Sequence, residues 1–124
     1  MSDLKDLKVY QLAYSFEERI WQVVASWEYF EKSTVGKQLV RSADSISANI
    51  SEGYGRYHYK ENKNFLFYAR GSLYETQNWL RKANDRKLVN PELYKELESE
   101  SVIIAKMLNA YIRSIGKKPM TNDQ

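Results

Sequence analysis

The stretch RSADSISANISEGYGRYHYKENKNFLFYARGSLYE, residues 41–75, decides the fold of this chain. Apolar residues recur every three or four positions before a glycine pair, Gly53 and Gly55, and the same spacing returns after it. This spacing is typical of amphipathic helices, and glycines supply the backbone freedom that a helix end and a tight turn require. The stretch therefore predicts one helix, a break, and a second helix that returns along the first. The apolar positions are Ala43, Ile46, Ile50, Leu66, Ala69 and Leu73.

Towards the amino terminus, another apolar period predicts helix one over about residues 6–28, with Asp6 as its N-cap. Glu17, Glu18 and Glu28 are expected largely on the face opposite the apolar residues. Ser33 or Thr34 then caps helix two, which is expected over about residues 34–54. Small side chains along helix two allow a neighbouring helix to approach it closely.

Towards the carboxyl terminus, helix three continues the apolar stripe, and helix four begins at Asn90-Pro91, an N-cap followed by proline at the first helical position. Helix four is expected to stop near Gly116, and no segment alternates as a strand does. The sequence thus predicts an all-α protein, an antiparallel up-down four-helix bundle. We expect one domain over residues 1–118 and a flexible tail over 119–124.

The composition is that of a soluble globular domain, with 124 residues of which 43% are hydrophobic and 28% charged. No cysteine is present, which excludes disulfides and thiolate metal sites and favours a reducing cytoplasm. The amino-terminal segment lacks the layout of a secretory signal, and no apolar run approaches the roughly 20 residues that a membrane helix needs. We therefore expect a cytoplasmic protein without a membrane contact.

Positive charge is concentrated in the middle of the chain. The net charge is only +3, but residues 33–90 contain ten basic and five acidic residues, a local balance of +5. Such an excess attracts polyanions. Aromatic residues make up 14% of the chain and include ten tyrosines, more than a small core usually holds, which is more typical of an interface than of an active site.

Two features resemble catalytic or nucleotide-binding elements, and we interpret both structurally. His58 has no second histidine and no cysteine with which to form a metal set or a catalytic pair, so it is interpreted as a surface or capping residue. The segment Gly53-Tyr54-Gly55-Arg56 follows a helix instead of a strand and lacks the lysine and hydroxyl residue of a phosphate loop. We predict no catalytic residue, no metal, no cofactor and no enzymatic activity.

A polar run lies along helix two, where spacings of three and four place its members on one face. Two residues of helix three, Ser72 and Glu75, are expected opposite this run. A buried hydrogen-bond network that fixes the helix register or joins subunits explains the run more simply than a hydrolytic site, which needs paired acids and an activated water. The run comprises Ser45, Asn49, Glu52 and Arg56.

Helix three carries a row of basic and aromatic residues beside its apolar stripe. Cations in such a row can neutralise phosphates, and aromatic rings can stack on unpaired bases. The alternative is a solvated charged face whose aromatic residues contact a second subunit. Apolar or aromatic residues around most of the circumference of helix three also favour self-association. The row comprises Lys60, Lys63, Phe67, Arg70, Tyr74 and Arg81.

The central stretch resembles a known family. The pattern S-I-x-A-N-I-x-E-G-x-G-R is satisfied from Ser45 to Arg56, and A-R-G-S-L-x-E is satisfied from Ala69 to Glu75. These segments, and the opening DLKVYQLAYSFEERIWQV, are similar to the four-helix-bundle proteins encoded in intervening sequences of bacterial 23S ribosomal RNA genes. The resemblance covers nearly the whole chain.

The resemblance implies an antiparallel bundle that assembles into a ring-shaped homo-oligomer, with a pentamer favoured. It also relates the chain to the accessory variability determinants of diversity-generating retroelements, which are basic bundles that bind nucleic acid and a reverse transcriptase. His58 departs from the family pattern, because members often carry serine there, three residues before a glutamate, as in a capping box. By matching position, the family signature falls on Arg41, Asn49, Glu52, Gly53, Gly55, Arg56, Gly71, Ser72 and Glu75.

Two functional hypotheses follow from the sequence. The first is a non-enzymatic, oligomeric helical bundle that binds RNA or DNA through the basic and aromatic row of helix three. The second is a protein-interaction scaffold or accessory subunit, for example to a reverse transcriptase, with no direct nucleic-acid role.

Overall fold

The structure, a computed structural model, describes residues 3–116. Four long helices make up most of this range: α1 Lys8–Ala25, α2 Lys37–Tyr54, α3 Tyr59–Asp85 and α4 Pro91–Ser114. A 3-10 turn, Leu4–Asp6, precedes α1, and a short helical segment, Tyr29–Glu31, leads through a π-helical turn, Lys32–Gly36, into α2. Residues 3–116 contain no strand, which confirms the all-α prediction. The tail expected over 119–124 lies outside the described residues.

The four helices follow one another around a bundle, in which each helix packs against two neighbours and α4 closes back onto α1. Consecutive helices run antiparallel, as the α2–α3 hairpin shows. Ser42, early in α2, meets Thr76, late in α3, whereas Gly53, near the end of α2, lies against Phe65, early in α3. Short connections between long helices produce this up-down topology.

The apolar stripes of the four helices meet along the axis of the bundle. The fully buried large side chains contributed by the helices form one continuous core, and burial of each is worth about 1.5–3 kcal/mol. A smaller cluster of Val35, Ala83 and Val89 closes the end of the bundle beside the π-helical turn. The large core side chains are Phe16, Ile20, Leu39, Ile46, Ile50, Leu66, Leu73, Leu80, Leu97, Ile104 and Leu108.

The predicted start of helix one is wrong. Asp6 lies in the 3-10 turn, where its carboxylate accepts a hydrogen bond from the Asp3 N–H at 3.1 Å. Leu7 stands before α1 without a side-chain cap, and the helix ends at Ala25, earlier than the predicted residue 28. The apolar period continues past both ends because residues outside the helix, such as Trp27, still pack against the core.

The predicted caps of helix two are also wrong. Ser33 and Thr34 lie inside the π-helical turn, where their hydroxyls donate to the Phe30 carbonyl at 3.2 and 2.7 Å. Helical structure has already begun at Tyr29, so these hydroxyls bond back to the preceding turn instead of capping a new helix.

The glycine pair ends α2 as predicted, but for a different reason. Gly55 is the C-cap and has an ordinary right-handed backbone, with φ −82°. Gly53 lies inside α2 and is buried, and a Cβ added there would lie 3.0 Å from the Asn62 carbonyl oxygen and from the Phe65 Cβ. Close approach of α3, more than backbone freedom, therefore requires glycine at this position.

Helix α4 begins and ends where the sequence predicts. The Asn90 side chain accepts from the Glu92 N–H at 2.8 Å, with Pro91 at the first helical position. After Ser114 the chain reaches Gly116, whose φ of 83° lies in the left-handed region that favours glycine. No helix within residues 3–116 is long and apolar enough to cross a membrane.

Candidate nucleic-acid interface

The predicted basic and aromatic row forms one flank of α3, beside the seam between α3 and α4. Its first five members recur every three or four residues and Arg81 follows two turns later, so the row covers about 30 Å of helix at a rise of about 1.5 Å per residue. Four of them are exposed, while Lys63 and Arg70 are half-buried. We name this surface the basic flank, and it comprises Lys60, Lys63, Phe67, Arg70, Tyr74 and Arg81.

Arg70 is held in place at the centre of the basic flank. Its Nη1 donates to the Asn109 Oδ1 of α4 at 2.8 Å, and its guanidinium carbon lies 5.1 Å from the centre of the Phe67 ring. No carboxylate within residues 3–116 forms an ion pair with Arg70. A planar guanidinium with one donor engaged and no acidic partner presents its remaining donors in a fixed direction.

The carboxyl-terminal end of the basic flank is less positive than its middle. Here Arg81 shares a shallow cavity with Tyr94 and Glu98 of α4, and the Tyr94 hydroxyl donates to the Glu98 carboxylate at 3.4 Å. Burial, together with the charge of Glu98, raises the pKa of Tyr94, and Arg81 acts in the opposite direction. The flank therefore carries three cations between Lys60 and Arg70, whereas the cation at its carboxyl-terminal end has an acidic neighbour on α4.

One further cation belongs to this surface although the sequence did not reveal it. Arg113 is exposed on α4, one helical turn beyond Asn109 and on the same face. It therefore extends the seam towards the amino-terminal end of α3. The spacing of Asn109 and Arg113 is visible in the sequence, but the face of α4 that meets α3 is known only from the Arg70–Asn109 contact.

Gly71 lies in the middle of the exposed side of α3. A Cβ added at Gly71 would have no heavy atom within 4 Å, so this glycine faces away from α2. Three aromatic side chains lie one helical turn before or after it, Phe67, Tyr68 and Tyr74, with exposed fractions of 41%, 58% and 50%. The result is a shallow notch with backbone as its floor and aromatic rings as its walls, which we name the Gly71 notch.

The polar run of α2 forms hydrogen bonds within its own helix. Ser45 Oγ donates to the Arg41 carbonyl at 2.9 Å, and Asn49 Nδ2 donates to the Ser45 carbonyl at 2.8 Å. Arg56 Nη2 donates to Glu52 Oε2 at 2.6 Å in an exposed ion pair. These bonds stabilise the last turns of α2 and do not reach α3.

The two residues expected opposite the polar run also bond within their own helix. The Ser72 carbonyl accepts from Thr76 Oγ1 at 2.7 Å, and the Glu75 carboxylate accepts from the Trp79 indole N–H at 3.3 Å. The buried hydroxyls of Ser42 and Thr76, the latter next to Glu75 in the chain, are 3.0 Å apart and join α2 to α3. The Arg56 guanidinium carbon also reaches α3, where it lies 4.8 Å from the centre of the Phe65 ring.

Among the described residues, Glu17 of α1 has the pKa that departs furthest from its ordinary value. The sequence predicted that this residue lies on the solvated face of helix one. It is in fact only 4% exposed, and its carboxyl accepts from the Ser47 N–H at 2.8 Å and from Ser47 Oγ at 2.7 Å. Burial raises the pKa of Glu17 to about 8, against the bonds from Ser47, and the charges of Asp44 and Glu18 add to the rise. This contact joins α1 to α2 inside the bundle.

His58 is the exposed N-cap of α3, and its side chain forms no capping hydrogen bond. Its ring meets the Tyr57 ring edge-on, with centroids 4.9 Å apart. Within residues 3–116, no group of three or more histidine, cysteine, aspartate or glutamate side chains is arranged to hold a metal ion.

The fold and this surface define a small antiparallel four-helix bundle whose longest helix exposes a basic, aromatic flank. The family model for the 23S rRNA-intervening sequence protein matches residues 5–110, so the chain belongs to that family. This confirms the family resemblance carried by the central stretch. No functionally curated protein matches the sequence.

A solved structure shows the same fold. It is a protein of unknown function from the S23 ribosomal protein family of Bacteroides thetaiotaomicron VPI-5482, similar to this chain with a TM-score of 0.78 and 27% sequence identity. The similarity covers 89% of this chain and 99% of that one. The fold of this chain is therefore matched over most of its length by the solved structure of a protein from the S23 ribosomal protein family.

Proposed function

We propose that this protein binds unpaired RNA or DNA along the basic flank of α3, as a non-enzymatic member of an oligomeric assembly. The observation that carries the proposal is the Arg70 arrangement. A half-buried guanidinium is oriented by Asn109 and Phe67 and is left without an acidic partner among the described residues. A fixed cation without an acidic partner can bind anionic groups, and the exposed aromatic rings beside it can stack on flat rings. A ligand with both kinds of group fits this surface.

Each part of the basic flank has a role in this proposal. Lys60, Lys63 and Arg70 contact phosphates, because they form its most positive part. Bases stack on Phe67 and Tyr74, which lie two helical turns apart on either side of the Gly71 notch. Two turns of helix span about 11 Å, which leaves room for a base between the two rings. Stacking accepts every base, so we expect little sequence preference.

The direct test is fluorescence anisotropy with labelled oligouridylate and oligothymidylate at two salt concentrations. If these three cations neutralise phosphates on a single strand, the affinity falls by roughly 20-fold between about 50 and about 200 mM salt. The double variant Lys60→Glu with Lys63→Glu reverses two of the three cations that contact phosphates and should abolish measurable binding. Lys5→Glu with Lys8→Glu changes the net charge equally at exposed positions outside the flank and should bind almost as the unmodified protein does.

Two results would contradict the proposal. One is the absence of binding at about 50 mM salt, where phosphate contacts are strong. The other is equal loss of affinity in the flank variant and its charge-matched control, because that would show a general charge effect instead of a site.

A second candidate function is a protein-interaction scaffold or accessory subunit, such as one that serves a reverse transcriptase. The observation that favours it is the number of large apolar side chains left exposed on several faces, among them Trp21, Tyr29 and Phe30 at 53%, 83% and 70%. We propose that self-association covers part of this surface, with a ring of identical subunits as its form. A protein that assembles but binds neither oligonucleotide supports this second function.

A further inference from the structure

The seam between α1 and α2 contains an apolar groove of about 700 Å³ on the side of the bundle away from the basic flank. Small side chains keep its floor low, and Trp21, which is 53% exposed, forms one wall. An exposed indole beside an apolar groove of this size is typical of a surface that another protein covers. We name it the α1–α2 groove, and its apolar lining comprises Trp21, Val24, Ala25, Val40 and Ala48.

The rim of the α1–α2 groove is charged, and the two ends have opposite sign. Lys32, Lys37 and Arg41 line the end near the start of α2. Asp44 lies further along, where burial and the neighbouring Glu18 carboxylate raise its pKa. Within residues 3–116 none of these five side chains forms an ion pair. The groove therefore suits an apolar ridge that is acidic at one end and basic at the other.

Helix α4 carries such a ridge on its outer side. Val102 and Ile103 are 43% and 51% exposed at its centre. Glu92 and Glu96 precede them on α4, and Lys106 follows them, all three exposed. Glu96 accepts a bond from Arg19 within the protomer, but 62% of its side chain remains accessible. We name these five residues the α4 ridge.

The level of the α4 ridge along the bundle matches that of the α1–α2 groove. Ser42 of α2 bonds to Thr76, and the next residue, Gln77, bonds to Ser101 of α4. Ser42 and Ser101 therefore lie at about the same height. Because α2 and α4 run in the same direction, heights along one helix can be compared directly with heights along the other.

From this common level the charges pair in order. Lys37 precedes Ser42 by five residues, and Glu96 precedes Ser101 by five residues, so the two lie level. Asp44 and Lys106 differ by only three residues in height, about 4.5 Å, which a lysine side chain spans. The basic end of the groove thus lies level with the acidic end of the ridge, and the acidic end of the groove lies within about 4.5 Å of the height of Lys106.

We propose that the α1–α2 groove receives the α4 ridge of a second copy of this chain. The inference rests on the proposed self-association and assigns it to two surfaces. These surfaces lie on different faces, since α4 packs against α1 and α3 while the groove lies between α1 and α2. The contact is therefore heterologous, which means that the two copies use different surfaces, and such contacts produce either rings or open filaments.

The charge register selects the ring. The pairing requires the second copy to have the same helix direction and no displacement along the bundle axis. Because groove and ridge lie on different faces, neighbouring copies are related by a rotation about an axis parallel to the helices. Such a rotation without a rise satisfies both conditions and forms a ring where its angle divides a full turn. Trp21 and Ile103, exposed in the single chain, become buried between neighbouring copies.

The first experiment measures mass in solution by light scattering after size exclusion. Trp21→Asp removes the groove and Ile103→Asp removes the ridge, and each variant alone should have the protomer mass of 14.6 kDa. A mixture of the two retains one intact groove and one intact ridge, so it should give a dimer and nothing larger. An interface that uses the same patch on both copies would not produce this dimer.

The second experiment exchanges charges at exposed positions. It still tests the interface if circular dichroism shows that an aspartate variant does not fold. Asp44→Lys and Lys106→Glu each place like charges opposite one another and should weaken assembly by at least about tenfold. The two changes in one chain restore the pair and should restore the assembly. Restoration by the double change is not expected from a general effect on folding.

The outcomes separate this inference from nucleic-acid binding. Tyr74→Asp lies on the basic flank, so it should lower oligonucleotide affinity and leave the assembled mass unchanged. A protein of protomer mass before any substitution overturns the proposal. Assembly that survives both the aspartate variants and the charge exchange overturns the assignment to groove and ridge, and leaves binding at the basic flank standing.

Discussion

The side of α3 that faces α2 and the side that faces solvent differ in how their residues are held. On the inner side Leu66 and Leu73 are fully buried, and Gly53 of α2 allows the two backbones to meet. On the outer side Gly71 touches nothing, and aromatic rings stand exposed around it. Two glycines of one family signature therefore have opposite surroundings. The inner side serves packing, whereas the outer side retains features that packing within this chain does not explain.

The largest expected effect is on the inner side. Leu73→Ala removes a side chain with 0% exposure from the centre of the core, and it should lower the free energy of unfolding by about 2–5 kcal/mol. Urea denaturation followed by circular dichroism measures this difference. Tyr74→Ala, the adjacent residue on the outer side, serves as the control and should change stability by less than about 1 kcal/mol. Similar losses for both variants would contradict the distinction between the two sides.

Within residues 3–116 the interior of the bundle also contains one carboxyl, that of Glu17, and its titration tests whether a carboxyl buried there is held in its neutral form. The pKa of Glu17 is about 8 in the folded protein and 4.5 in a free chain, so the folded state binds more protons between these values. Stability should therefore fall as pH rises through this window, by a total on the order of a few kcal/mol, and level off above it. Glu17→Gln keeps the shape without the titration and should flatten the decline.

Unfolding of both proteins across the range from pH 5 to pH 9 provides the measurement. A parallel decline in the unmodified protein and in Glu17→Gln would assign the pH dependence to other groups. Glu28→Gln is the matched control, because it makes the same chemical change at an exposed position and should leave the decline as it is in the unmodified protein.

Gly53→Ala tests the close approach of the hairpin. The added Cβ would lie 3.0 Å from the backbone oxygen of Asn62, which cannot move as a side-chain tip can. We expect a loss of about 1–3 kcal/mol in the free energy of unfolding from the overpacking. A neutral or stabilising result in thermal unfolding would show that α2 and α3 can separate without loss, against the packing described above.

The smallest expected effect has the opposite sign. Gly71→Ala should stabilise α3 by up to about 1 kcal/mol, because alanine favours helix and a Cβ meets nothing there. The same change partly fills the Gly71 notch, so oligonucleotide affinity should fall while stability rises. Thermal unfolding and anisotropy on one preparation test both. Greater stability with unchanged affinity would remove the notch from the proposed binding site.

Much of the candidate site followed from helical spacing alone. The members of the basic flank share one side of α3, as their spacing predicts, because the geometry of a single helix fixes which of its side chains share a face. Spacing did not show that Glu98 lies beside Arg81, or that Asn109 orients Arg70, since both contacts join α3 to α4. Glu17 was placed on the wrong face for a related reason, because its carboxyl is matched by Ser47 on another helix.

The sequence by itself determined the four helices, the break at Gly53 and Gly55, the start of α4 at Asn90 and the family, because these depend on local spacing and on residues close together in the chain. Only the tertiary structure decided which glycine is packed and which is open, and which charges are paired. It also decided that the α1–α2 groove and the α4 ridge lie at one height. Those properties depend on distances between helices, and such distances are set by how the side chains of all four helices fill the core together.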